Sequence, residues 1–155
     1  MKFARGFTLI ELMVTISLVA ILLSVVAPYI ASAIANAKAR NVVSKFGQDF
    51  AWSRNQAATN NLAVALTLNA DCSWSATVDG TVDTSHSVTA TELAGNASTV
   101  TCTATNATSF PVTLSFTSQG FVRPGASFVF NGPNNQTWPI QILSSGTVIV
   151  TRGAS

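Results

Sequence analysis

One stretch of this chain limits what the rest can become. From Phe7 to Ala35 the residues are mostly Leu, Ile, Val, Met and Ala, and Glu11 is the single charged side chain among them. A helix needs roughly 20 apolar residues to cross the hydrocarbon core of a bilayer, and this run is longer. It is a membrane-spanning candidate, and too long for a secretory signal peptide, whose apolar region covers about 7–15 residues. An uncleaved signal anchor remains the ordinary alternative at this point.

The remainder has room for one globular domain, since the whole chain is 155 residues long and compact domains commonly run to about 100–150 residues. Hydrophobic residues make up 48% and charged residues only 9%, against about 25% charged in an average soluble protein. The formal charge of +2 includes Lys2 and Arg5, which precede the apolar run. Without residues 1–6 the charges balance, and from Asn55 onward four acids face only Arg123 and Arg152. A nucleic-acid partner needs a basic footprint, so nucleic acid is not an expected partner.

The residues around the start of the run carry a motif. Lys2, Phe3, Ala4, Arg5 and Gly6 form a short basic leader, followed by Phe7-Thr8-Leu9-Ile10-Glu11-Leu12. This order resembles the class III signal of type IV prepilins and pseudopilins. The resemblance implies that a membrane-embedded prepilin peptidase cuts between Gly6 and Phe7 and methylates the new amino terminus of Phe7. Glycine offers no side chain to obstruct a protease, and a cut there removes charge while keeping the anchor.

Glu11 then needs an explanation, because a carboxylate placed in hydrocarbon is costly and usually marks a pairing or functional position. By resemblance, Glu11 is the subunit-assembly residue: it pairs with the freed amino group of Phe7 on a neighbouring subunit and sets axial register. Attraction is stronger in a low-dielectric bundle than in water, but desolvation offsets part of it. Pro28 removes a backbone donor inside the helix, so a kink or local melting is expected there.

Beyond the apolar run, Val42, Val43, Phe46, Phe50 and Ala57 recur near three- and four-residue spacing with Lys38, Lys45, Asp49 and Arg54 between them. The spacing predicts a helix continuing to about residue 58, changed from lipid-facing to domain-packing. Short β-prone runs follow at Leu62–Leu68, Trp74–Val78, Thr99–Thr105, Val112–Thr117, Phe128–Phe130, Trp138–Leu143 and Thr147–Thr151, separated by Asp-Gly, Pro-Gly and Ser-Ser-Gly turn signals. Ile140 and Ile142 alternate against Val148 and Val150 as a closing hairpin, while residues 81–96 read as a loop or edge. The expected fold is α+β, type IV pilin-like. A leader covers residues 1–6, a transmembrane or filament-core helix residues 7–35, and a globular domain residues 36–155, with an antiparallel β-sheet packed on the second half of the helix.

Cys72 and Cys102 lie in a Ser-, Thr- and Asn-rich region of secreted character. A disulfide between them is one reading and contributes roughly 3 kcal/mol in an oxidising compartment; two unpaired small hydrophobes are the other. No catalytic constellation is evident: His86 is the sole histidine and sits in a polar stretch expected to be an exposed loop. Two cysteines and one histidine are too few for an ordinary structural zinc site. Trp52, Trp74 and Trp138 are expected in the core. No enzyme activity, metal or cofactor is expected.

The layout resembles the GspH/FimT-type minor pilins and pseudopilins over nearly the whole chain. Its weaker points are Ala51-Trp52-Ser53, the Leu114–Gly120 strand and turn, and the terminal hairpin. Some FimT-like proteins bind DNA through Gly-Arg-x-Arg in that hairpin; the matching Gly146-Thr147-Val148-Ile149 lacks both arginines. The resemblance implies a minor pilin of a type IV pilus, priming assembly at or near the filament tip, with a type II secretion pseudopilin as the closest alternative and a DNA-binding competence pilin behind it. Its implied partners are other pilin subunits through the N-terminal helix, prepilin peptidase, inner-membrane assembly machinery, and membrane lipid before assembly. The implied location is the bacterial inner membrane, with a periplasmic domain, then the pilus or pseudopilus.

Overall fold

A computed structural model describes residues 7–106, 108–151 and 153. The chain divides into two compact units, Met1–Ile34 and Ala35–Ser155. Helix α1, Leu9–Asn60, is a single element contributing to both, and it keeps its helical assignment through Pro28.

In the first unit every described residue as far as Ala31 is exposed. This helix is long and apolar enough to cross a membrane. Three of its hydroxyls are satisfied within the helix itself: Thr15 Oγ1 donates to the Leu12 carbonyl at 2.8 Å, Ser17 Oγ to Met13 at 2.7 Å and Ser24 Oγ to Ile21 at 2.7 Å. A hydroxyl bonded back to its own helix presents no unpaired polar group to lipid, so these residues do not interrupt the apolar surface.

In the second unit the pattern along α1 changes. Ala39, Val43, Phe46, Asp49, Phe50, Ser53 and Ala57 are buried, spaced three and four apart on one face. Two antiparallel sheets cover that face. The first has order β3-β2-β1-β5-β6 and the second β4-β7-β8-β9, where β1 is Val64–Leu68, β2 Trp74–Val78, β3 Thr81–Val88, β4 Thr101–Thr105, β5 Val112–Phe116, β6 Val122–Arg123, β7 Ala126–Asn131, β8 Thr137–Ile142 and β9 Val148–Val150. Burial alternates along β1, β5 and β7, as strands with one wet face require.

Phe46 is the meeting point. Its ring lies edge-on to Trp74 of the first sheet at 5.5 Å and to Phe128 of the second at 5.5 Å, and it is tilted against Phe130 at 5.6 Å. Phe50 meets Phe116 at 5.0 Å. Below this cluster Asp49, 1% exposed, accepts from Lys45 Nζ at 2.6 Å and from the Trp74 indole N–H at 2.9 Å. Both oxygens of the buried carboxylate are thereby used, as burial of a charge demands.

The disulfide between Cys72 and Cys102 is formed, linking the β1–β2 turn to β4 and so one sheet to the other. The closing hairpin has the expected register, with Ile140 opposite Val150 and Ile142 opposite Val148; Gly146 closes its turn at φ +79°. The β-prone runs all form strands, but they divide into two sheets because β4 pairs with β7 and joins no strand of the first sheet.

Residues 81–96 hold more structure than a loop. They form edge strand β3 and the start of helix α2, Ala90–Ala97. That helix begins with a capping box in which Thr89 Oγ1 accepts from the Glu92 N–H and the Glu92 carboxylate accepts from the Thr89 N–H. The T-x-x-E signature was there in the sequence to be found. His86 lies in β3 with its ring stacked on Trp52 at 3.6 Å, half-buried instead of looped out. Trp74 and Trp138 are core residues, and Trp52 packs against the core's margin.

Three outcomes test this packing. Phe46→Ala is expected to cost about 3–5 kcal/mol through lost burial and a cavity, and replacing both cysteines with serine about 3–4 kcal/mol through the freed unfolded chain. Both are measurable as lowered melting temperatures of the detergent-solubilised full chain. The Thr89 backbone N–H and then its hydroxyl hold the Glu92 carboxyl below its ordinary range. The folded state therefore favours the ionised form. Its stabilisation of α2 is present at neutral pH and lost as acid protonates the group, so the protection of α2 amides, measured relative to their intrinsic exchange rates, should fall as pH drops through the lowered Glu92 titration.

Candidate assembly site

The first turn of α1 is where sequence and geometry concentrate chemistry. Thr8 precedes the helix, and its side-chain oxygen accepts from the Glu11 N–H at 3.3 Å. Glu11 Oε2 in turn accepts from the Thr8 N–H at 3.0 Å and the Thr8 hydroxyl at 2.9 Å. This is a second capping box, at a helix end whose amide groups have no partner within the helix. The carboxylate also lies where the helix dipole favours negative charge.

The arrangement explains how an acid is tolerated at the head of an apolar rod. Glu11 is held by its own chain through Oε2, so its position is set before any other subunit arrives. Sequence reasoning assigned Glu11 to pairing between chains and passed over this contact within one chain, although Thr8-Leu9-Ile10-Glu11 has the required spacing. Phe7, 81% exposed, lies directly before the cap. Gly6, on the other side of the expected cleavage point, lies outside the described residues, as do Lys2, Arg5 and Arg152.

A prokaryotic N-terminal methylation motif matches residues 1–27, covering Gly6, Phe7 and Glu11. The model of the type II transport protein GspH matches residues 42–146, more than half of the chain. This chain belongs to the GspH family. The matched region begins within the domain-packing part of α1 and ends in the β8–β9 turn, so it covers the two-sheet domain as far as β8, and the methylation motif covers most of the apolar run.

No curated protein sequence matches the chain. Among solved structures, the minor pseudopilin EpsH from the type 2 secretion system of Vibrio cholerae is similar, with a TM-score of 0.55 and 12% identity over 79% of this chain and 99% of that one. At that identity the likeness is one of fold. It bears out the pilin-like α+β architecture: a long N-terminal helix followed by antiparallel sheets.

Further along this GspH-family chain, Arg54 Nε donates to the Gly120 carbonyl at 2.9 Å. A side chain at Gly146 would press on that carbonyl and on Arg54, so α1 ties the β5–β6 and β8–β9 turns together at one end of the domain. Among the described residues no group of three metal-binding side chains converges.

Thr8→Val keeps the shape of the side chain and removes both hydroxyl contacts. Loss of an N-terminal cap costs about 1 kcal/mol. The Leu9–Leu12 amides of the micelle-embedded protein should therefore exchange faster, with the rest of α1 unchanged.

Proposed function

We propose that this chain is a minor subunit of a type IV-class filament, held in the bacterial inner membrane by α1 with its two-sheet domain in the periplasm until it is extracted into the filament. A methylation motif over residues 1–27 joined to a GspH-type domain over residues 42–146 carries the reading. Between the two filament classes, GspH-type membership and the fold likeness to a minor pseudopilin favour the type II secretion pseudopilus. A minor pilin of a type IV pilus, acting at or near the tip, is the second reading. It is kept because the GspH/FimT-type resemblance at Ala51-Trp52-Ser53, Leu114–Gly120 and the terminal hairpin is shared by minor pilins and pseudopilins.

The role is structural, with no catalytic step. Prepilin peptidase removes residues 1–6 and methylates Phe7, leaving a positive amino group at the head of the rod. Glu11 already spends Oε2 on Thr8, which leaves Oε1 for the Phe7 amine of a neighbouring subunit. Because the acid is pre-positioned, pairing costs little further side-chain ordering. Pro28 is the proposed point at which α1 bends as it moves from lipid into a bundle of sister helices. The membrane assembly machinery is the partner that moves it.

Protein extracted from its native membrane should carry a methylated Phe7 amino terminus by mass spectrometry, and an intact Met1 in cells containing prepilin peptidase rejects the processing step. Glu11→Ala should insert and be cleaved normally yet co-purify with sheared filaments about tenfold less than wild type. Deleting the gene distinguishes the two filament classes: loss of protein secretion with surface pili intact supports the pseudopilus, and the reverse supports the pilus.

A further inference from the structure

Helix α1 passes a cleft soon after its apolar run ends. At about 1.5 Å per residue, Leu9 to Ala35 rises roughly 40 Å, close to the thickness of a bilayer with its headgroup layers included, about 40–45 Å. Lys38, just under a turn further on, stands at the rim of a headgroup layer, and helical side chains lean back toward the helix N-terminus, here toward the apolar run. The cleft, about 460 Å³, lies among α1, β3 and α2, where Lys38 is joined by Asn41 and Lys45 of α1 and by Glu92 and Asn96 of α2. Val42 and Leu93 give it an apolar wall.

The charges of this cleft are incompletely used. Lys38 is exposed and has no carboxylate partner among the described residues. The Lys45 ammonium spends two donors, on Asp49 Oδ1 at 2.6 Å and on the Ser85 carbonyl at 3.0 Å, and an ammonium has three. The Glu92 carboxylate meets Thr89 through Oε2 alone. That carboxyl is held below its ordinary range by the Thr89 N–H, then by the Thr89 hydroxyl and, less strongly, by the Lys45 ammonium, so it is ionised at neutral pH. Lys45 and Asp49 neutralise each other, which leaves Lys38 as the open cation and Glu92 as the open anion among the described lining residues.

We infer that this cleft binds the headgroup of an amine-bearing phospholipid while α1 is in the membrane, with the phosphate at Lys38 and the primary ammonium at Glu92. This rests on the membrane-held stage of the reading above and on nothing about the filament. A phosphodiester that carries an ammonium complements one cation and one anion. A glycerol headgroup supplies the phosphate and leaves Glu92 facing a second negative charge, while a choline headgroup has no N–H to donate to the carboxylate. An acidic peptide meets the same Glu92, and a nucleic acid needs more cations than Lys38 and Lys45 supply. Because α1 is itself embedded in lipid, headgroups reach the cleft at high effective concentration.

The test uses the full chain in an uncharged detergent micelle, titrated in turn with dihexanoyl phosphatidylethanolamine, phosphatidylcholine and phosphatidylglycerol and read by native mass spectrometry. The ethanolamine lipid should be retained at about tenfold lower concentration than either of the others. Lys38→Gln should weaken that retention about tenfold, and Lys38→Arg should preserve it. Glu92→Gln keeps the capping box, in which glutamine also serves, and should abolish the preference over the glycerol lipid. Equal retention of all the headgroups by the wild-type chain overturns the inference without recourse to any variant, as does a preference that survives both Lys38→Gln and Glu92→Gln. Glycerophosphoethanolamine, the same headgroup without acyl chains, should bind more weakly than the lipid; equal binding overturns the membrane source. A chain that enters micelles without headgroup preference loses this site and keeps the membrane reading, whereas a native chain that stays soluble without detergent loses both.

Discussion

The change of surroundings along one helix is the constraint on which the rest of this protein depends. As far as Ala31, α1 is exposed on every side and nearly every side is apolar; from Ala39 it buries a single stripe and shows charge elsewhere. The first pattern suits a solvent of hydrocarbon, the second a half-wet domain. Both sheets are built against the same stripe, so Phe46, touching Trp74 in one and Phe128 in the other, is where the domain's two halves become one core.

Polar groups are managed in the same spirit along the whole helix. In the apolar part, hydroxyls bond back to carbonyls a turn earlier, and the one acid caps the helix through Thr8. In the domain part, the buried acid Asp49 is divided between Lys45 and the Trp74 indole. Each arrangement meets the high cost of an unpartnered charge or donor away from water. The difference lies in reserve capacity. Both oxygens of Asp49 are consumed within the fold, while the capping contacts of Glu11 fall on one oxygen.

The terminal hairpin shows how local alternation sets strand register. Toward β8, β9 pairs in the register that alternation of Ile140, Ile142, Val148 and Val150 dictates.

The anchor, its methylation motif, the extent of α1 to within a few residues and seven of the nine strands among the described residues were legible in the sequence, because each depends on local composition, periodicity or turn chemistry. What was illegible depends on partners distant along the chain. Nothing local told that the strands divide into two sheets, since strand pairing is decided by which edges meet after collapse onto α1. Strand β3 is polar on both faces and so has no alternation to read, and His86 owes its stacking to Trp52 on another element. The cysteines were visible as a pair of candidates, but only tertiary structure brought Cys72 and Cys102 together across two sheets. Local sequence dictated where the chain is greasy, capped or turned; the closing of long loops around a common core decided which of those pieces touch.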